Sequence, residues 1–187
     1  MRTKMPAKTF LIRFLASGGF ISYLPALLVS RLQHQGRTIL SSGPSVYKKF
    51  TGSGMVGTLV ALALVPFLPE DKTRFALFCL AFLPFSVWIA DLASKSYGTD
   101  DDPRIVIDEM MGYWTALLFM DRTPFNLAAA FVIFRALDTL KPWPINKLET
   151  CISGGFGIII DDALAGVEAN LLTRLAALAV WGAPACR

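Results

Sequence analysis

Two apolar stretches, residues 53–69 and 74–92, are separated only by the charged run Glu70 to Arg74. Each approaches the roughly 20 apolar residues that a helix needs to cross a bilayer. The run between them has room for a turn and little else. Composition agrees: 54% of the 187 residues are hydrophobic and 17% charged, with a mean hydropathy of +0.52, greasier than an ordinary soluble domain. Further apolar segments lie at about 9–30, 105–120, 125–140 and 158–182. No alternating strand pattern is long enough to compete. The expected fold is all-α: a single domain over residues 1–187, a membrane-embedded bundle of about six helical segments, some short or re-entrant, with a basic insertion near residues 31–50.

Charge placement gives an orientation. Basic residues gather at the N-terminus (Arg2, Lys4, Lys8, Arg13) and after segment 9–30, from Arg31 to Lys49. With both groups on the cytoplasmic side, as the positive-inside tendency favours, that segment is a re-entrant or interfacial hairpin. Gly18, Gly19 and Pro25 suit such a hairpin and argue against a cleaved leader. The basic stretch lacks interleaved aromatics, so a nucleic-acid partner is not expected; anionic lipid head groups are. Cys79, Cys151 and Cys186 show no paired or metal-knuckle spacing.

Five carboxylates sit in apolar surroundings: Asp108 and Glu109 in IVIDEMMGYW, Asp138 in FVIFRALDTLKPWPI, and Asp161 and Asp162 in GFGIIIDDALAG. An unpaired carboxylate there is expensive, so such acids pair with a cation or a metal. The orientation above brings all five to one membrane face. Arg135, Asp138 and Lys141 fall at i, i+3 and i+6, one stripe of a helix ending at Pro142 and Pro144. Arg and Lys are the usual phosphate ligands, while Asp138 either ligates metal or holds one of those cations. Gly155 and Gly157 allow close backbone approach, and Asp161 and Asp162 are expected in the first turns of the last helix.

Two of these groups also have a bland reading. Arg135 with Asp138 is a structural ion pair, and Asp161–Asp162 a helix cap. Taken together these readings weaken, because Arg135 and Lys141 are too few cations for five carboxylates; Mg²⁺ on oxygen ligands would supply the balance. The DDDPR run from Asp100 to Arg104 reads as a solvated loop, Glu168 with Arg174 as an internal pair, and Met110, Met111, Tyr113 and Trp114 as packing residues.

Other chemistries drop out. The single histidine, His34, lies in the basic stretch. No cysteine-nucleophile phosphatase loop, DxDx[TV] aspartyl phosphatase motif, phosphate-cradling GxxxxGK[ST] or GxGxxG at a strand-to-helix turn is present. Carboxylate and metal chemistry beside Arg and Lys is what remains.

At these residues the chain resembles the phosphatidylglycerophosphatase A family of bacterial membrane enzymes. The resemblance rests on Ile105 to Trp114, Phe131 to Ile145 and Gly154 to Gly166, in that order, and spans about residues 53 to 182. It implies Mg²⁺-dependent hydrolysis of phosphatidylglycerophosphate to phosphatidylglycerol and phosphate, in phospholipid biosynthesis at the cytoplasmic face of the bacterial inner membrane. The family's acidic positions fall on Asp108, Glu109, Asp138, Asp161 and Asp162, and its basic positions on Arg135 and Lys141. Toward the N-terminus the chain departs from it: Ser53 and Met55 stand where the family has Pro and Thr.

The resulting expectation assigns metal binding to Asp108, Glu109, Asp161 and Asp162, and substrate binding to Arg135, Lys141 and Gly157. Catalysis falls to Asp138, Asp162, Arg135 and Lys141. Water is preferred as the attacking group over an aspartyl-phosphate formed on Asp138 or Asp162. The competing expectation is a non-enzymatic cation-transport or anionic-lipid-binding membrane protein, since intramembrane acids also mark ion pathways. Depth separates the two: transport needs carboxylates near the midplane, whereas hydrolysis needs them near one face.

Overall fold

The computed structural model describes residues 6–24, 52–99, 102–143, 152 and 154–182. The stretch from Arg31 to Lys49, with Cys151, Cys186 and Asp100–Asp101, lies outside the described residues. The described residues form six α-helices and no strand. We label them α1 (Ala7–Ala16), α2 (Ser53–Leu64), α3 (Lys72–Tyr97), α4 (Ile107–Ala116), α5 (Pro124–Leu140) and α6 (Gly154–Trp181).

Local chemistry sets the helix ends. The Asp71 carboxylate accepts from the Arg74 N–H at 2.8 Å and opens α3, which stops at Gly98 in the left-handed region (φ 77°). Thr123 caps α5 by accepting from the Asn126 N–H at 3.2 Å, with Pro124 beginning the first turn. The other end of α5 is Lys141, left-handed at φ 43° without being glycine. A 3₁₀ turn, Val65–Phe67, extends α2, and the Arg122 guanidinium caps it by donating to the carbonyls of Val65, Leu68 and Pro69.

Helix lengths sort the elements. At 26 and 28 residues, α3 and α6 are long and apolar enough to cross a membrane, reaching about 39 and 42 Å against a hydrocarbon core of about 30 Å. Their outward residues are apolar, including Leu77, Leu80 and Trp88 on α3 and Leu171, Leu175 and Trp181 on α6. Asp108, Asp161, Asp162 and Asp102 are buried instead. An apolar exterior around buried acids is the pattern a lipid solvent selects.

The ten-residue α4 is buried along almost its whole length among α2, α3, α5 and α6, which explains why segment 105–120 is too short to span. It meets α6 through glycines. A Cβ on Gly166 would collide with the Gly112 carbonyl, and one on Gly112 would meet the Phe134 ring and the Asp162 carbonyl. Trp114 Nε1 donates to the Ala61 carbonyl at 3.0 Å, tying α4 to α2.

Segment 9–30 is a short helix followed by a left-handed turn at Gly18, Gly19 and Phe20 as far as it is described, to residue 24. The Val106 N–H donates to the Ala16 carbonyl at 2.8 Å, holding that turn against the entry to α4. Three expectations need correcting. First, α6 begins at Gly154, so Asp161 and Asp162 lie two turns inside it rather than in its first turns. Second, Arg174 donates to Asn170 Oδ1 and to the Leu118 carbonyl just past the end of α4 instead of pairing with Glu168. Third, within the DDDPR run, Asp102 is buried and held by Arg104, whose Nη2 lies 2.6 Å from Asp102 Oδ2. Arg104 stacks at 4.1 Å on the Tyr97 ring, which Arg13 of α1 also covers at 4.6 Å. A desolvated pair with both carboxylate oxygens engaged is stable inside, which a reading of charge alone misses.

Candidate active site

The five acids and two cations converge at the end of the bundle where α2, α4 and α6 begin and α5 ends. Asp108 and Glu109 occupy the first turn of α4, where the helix dipole favours negative charge. Asp162 reaches them from α6. One oxygen from each of Asp108, Glu109 and Asp162 lies within 4.8 Å of the others, a grouping suited to a metal ion. Glu109 Oε2 and Asp162 Oδ2 are buried with no hydrogen-bond partner. Hard oxygen donors at this spacing, with uncompensated lone pairs, fit a hard divalent cation. Desolvation, together with nearby Asp162 and Asp138, pushes the Glu109 carboxyl up to about 8 despite Asp108 and Arg135.

Both cations are paired. Arg135 Nη1 lies 2.7 Å from Asp138 Oδ2 and donates to Thr58 Oγ1 at 3.4 Å, while its Nε is a buried donor with no partner. Asp138 also comes within hydrogen-bonding reach of Asp162. Lys141 Nζ donates to Asp161 Oδ2 at 2.6 Å, both side chains being largely buried. The structure therefore gathers Asp108, Glu109 and Asp162 into one group and places Asp161 on Lys141. A Cβ on Gly157 would meet the Ile152 carbonyl, so this glycine lets the preceding turn lie against α6.

Gly54, just after Ser53, also belongs to the site. A Cβ there would fall 2.5 Å from Glu109 Oε1 and 2.7 Å from Arg135 Nη2, so the start of α2 closes the site as a bare backbone wall. Gly57, one turn on, lets the same helix lie against Val106. The Gly-x-x-Gly spacing was the available signal. Ser53 is buried beside this wall, whereas Met55 is exposed. Met110, Met111, Tyr113 and Trp114 are buried packing residues, as expected.

The phosphatidylglycerophosphatase A family model matches residues 39–177. With that match, the buried carboxylates and paired cations define an all-α phosphoric monoester hydrolase with an apolar exterior. A Bacteroides thetaiotaomicron protein named putative phosphatidylinositol-3-phosphatase is 34% identical over 161 residues, covering 83% of this chain and 94% of that one. The phosphatidylglycerophosphatase A of Escherichia coli is 37% identical over 127 residues (62% and 73%), and that of Haemophilus influenzae 29% over 123 (65% and 74%). No solved structure matches. The chain belongs to the phosphatidylglycerophosphatase A family.

Proposed function

We propose that this protein removes the terminal phosphate of phosphatidylglycerophosphate, giving phosphatidylglycerol and inorganic phosphate, with Mg²⁺ as its resident ion. One observation carries the reading: the site holds buried orphans of both signs. Glu109 Oε2 and Asp162 Oδ2 are acceptors without donors, and Arg135 Nε is a donor without an acceptor. A cation satisfies the first and an oxyanion the second, and a phosphate monoester beside a divalent metal supplies both.

Asp108, Glu109 and Asp162 would hold the ion, which when bound acts as a Lewis acid on the phosphoryl oxygens. Arg135 and Lys141 bind the phosphate and offset the charge that develops as the ester bond breaks. Asp138 fixes the Arg135 fork. Water is the attacking group in this reading, since Asp138 is engaged by Arg135 and Asp162 would be taken up by the ion. The apolar exterior leaves the acyl chains in the bilayer while the head group enters the site.

Depth favours hydrolysis over ion conduction. Asp162 lies about 12 Å along α6 from its start and about 30 Å from its other end, so the acids are one-sided. In this reading that end is the cytoplasmic one, a choice supported by the basic residues before α1 and from Arg31 to Lys49 through the positive-inside tendency. A second reading differs only in head group: the Bacteroides relative matches more of its length than the Escherichia one, which favours a phosphatidylinositol phosphate. Phosphate release from mixed micelles of each lipid, with Mg²⁺ or chelator, for the parent and Asp162→Asn, tests both. Metal-dependent release from one lipid, abolished by the substitution, is expected; release from neither lipid by folded, metal-replete protein rejects the reading.

A further inference from the structure

We infer that the adjacent aspartates of α6 have different tasks: Asp162 belongs to the metal group, whereas Asp161 is a positioning residue that holds Lys141 for the substrate phosphate. The inference rests on the phosphatase reading above and deepens it.

Both oxygens of Asp161 are already engaged. Oδ1 accepts from the Asp162 N–H at 3.0 Å, and Oδ2 accepts from Lys141 Nζ at 2.6 Å. A carboxylate so occupied has little left to offer a cation, whereas Asp162 keeps a buried oxygen with no partner. The grouping within 4.8 Å takes Asp162 and leaves Asp161 out. Successive residues on a helix point about 100° apart, so one side chain of this pair can face α4 while the other meets the end of α5.

Lys141 carries a second sign of being placed. It ends α5 in the left-handed region at φ 43°, a conformation a lysine seldom adopts unless its surroundings enforce it. That backbone turn, together with the buried pair to Asp161 at side-chain exposures of 17% and 7%, fixes an otherwise flexible four-carbon arm. The same device recurs on the other cation, since Asp138 holds Arg135 at 2.7 Å. Each phosphate-binding cation thus has its own carboxylate, and the remaining three acids form the metal group.

The test separates metal binding from phosphate binding in the full chain in detergent. Mn²⁺ binding is followed by the loss of its free electron paramagnetic resonance signal. Asp162→Asn is expected to weaken it roughly tenfold or more, and Asp161→Asn to leave it unchanged. Inhibition by inorganic phosphate is then expected to weaken roughly tenfold in Asp161→Asn and in Lys141→Ala alike. The double variant should be no weaker than Lys141→Ala, and Asp161→Glu should recover part of the loss. Equal loss of Mn²⁺ in Asp161→Asn and Asp162→Asn overturns the assignment, as does an additive double variant. Should Asp161→Asn fail to fold, Lys141→Met with unchanged Mn²⁺ binding and weakened phosphate inhibition supports the assignment, and weakened Mn²⁺ binding in it does the opposite. Failure of the phosphatase reading looks different: the parent binds Mn²⁺ yet releases phosphate from no lipid, and the Mn²⁺ comparison between the two aspartates still decides which of them binds metal.

Discussion

Gly112 and Gly166 touch backbone to side-chain-less backbone across the α4–α6 crossing, and a Cβ on Gly166 has no room beside the Gly112 carbonyl. Asp108 and Asp162 lie one turn away from this contact on their respective helices, so the crossing distance sets the spacing of the metal group.

Gly166→Leu is therefore expected to push the helices apart, destabilise the fold by about 1–3 kcal/mol, and weaken Mn²⁺ binding although neither acid is changed. Thermal unfolding in detergent and Mn²⁺ titration check this. A variant of parental stability and affinity would remove the crossing from the argument.

Metal affinity should rise with pH. Glu109, held up to about 8 in the metal-free protein by burial and its acidic neighbours, carries a proton that a cation must displace. The sign follows for stability as well. Its folded value exceeds its ordinary value of 4.5, so the metal-free protein loses stability as pH rises from about 4.5 to about 8, by at most about 1.4 kcal/mol per pH unit. Saturating Mg²⁺ removes that loss. Unfolding midpoints across pH 5 to 9 with Mg²⁺ and with chelator measure it; parallel curves would contradict the expectation.

Arg135→Lys keeps the charge but loses the fork that reaches Asp138, Thr58 and the unpartnered Nε position. We expect kcat/KM to fall on the order of 10²-fold while Mn²⁺ affinity holds. Steady-state kinetics alongside Mn²⁺ titration make the comparison.

The Asp102–Arg104 pair ties α1 to the end of α3 through Tyr97, and neither residue belongs to the metal group. Arg104 brings Asp102 below the usual carboxylate range even though burial opposes it. Its contribution is present above the ordinary Asp value and is lost as pH falls through the lowered one. Arg104→Gln should leave α1 prone to proteolysis between residues 17 and 24 at neutral pH, with Mn²⁺ affinity unaffected. Limited proteolysis followed by mass spectrometry reads this directly.

Much of the site was legible because its residues advertise themselves. Acids among Ile, Val and Trp have few structural uses, and the spacing of Arg135, Asp138 and Lys141 announces a common stripe. What was not legible depended on partners distant in sequence. Nothing in DDALAG tells which aspartate turns to Lys141, since that is set by the angle at which α6 passes both α4 and α5. Gly54 matters only because Glu109 and Arg135 lie behind it, 55 and 81 residues further on in the chain. The apparent solvation of DDDPR failed for the same reason, with Tyr97 and Arg13 supplying the enclosure.

Asp161 and Asp162 share a peptide bond, so the two poles they serve are joined by about 3.8 Å of covalent chain. No hinge or loop lies between them. A helix is stiff along its axis, and α6 therefore works as a fixed calliper, transmitting any shift at the phosphate pole to the metal pole. A single-residue insertion between residues 154 and 161 would rotate both carboxylates off their partners at once. Evolution can vary what surrounds this gauge far more easily than its setting.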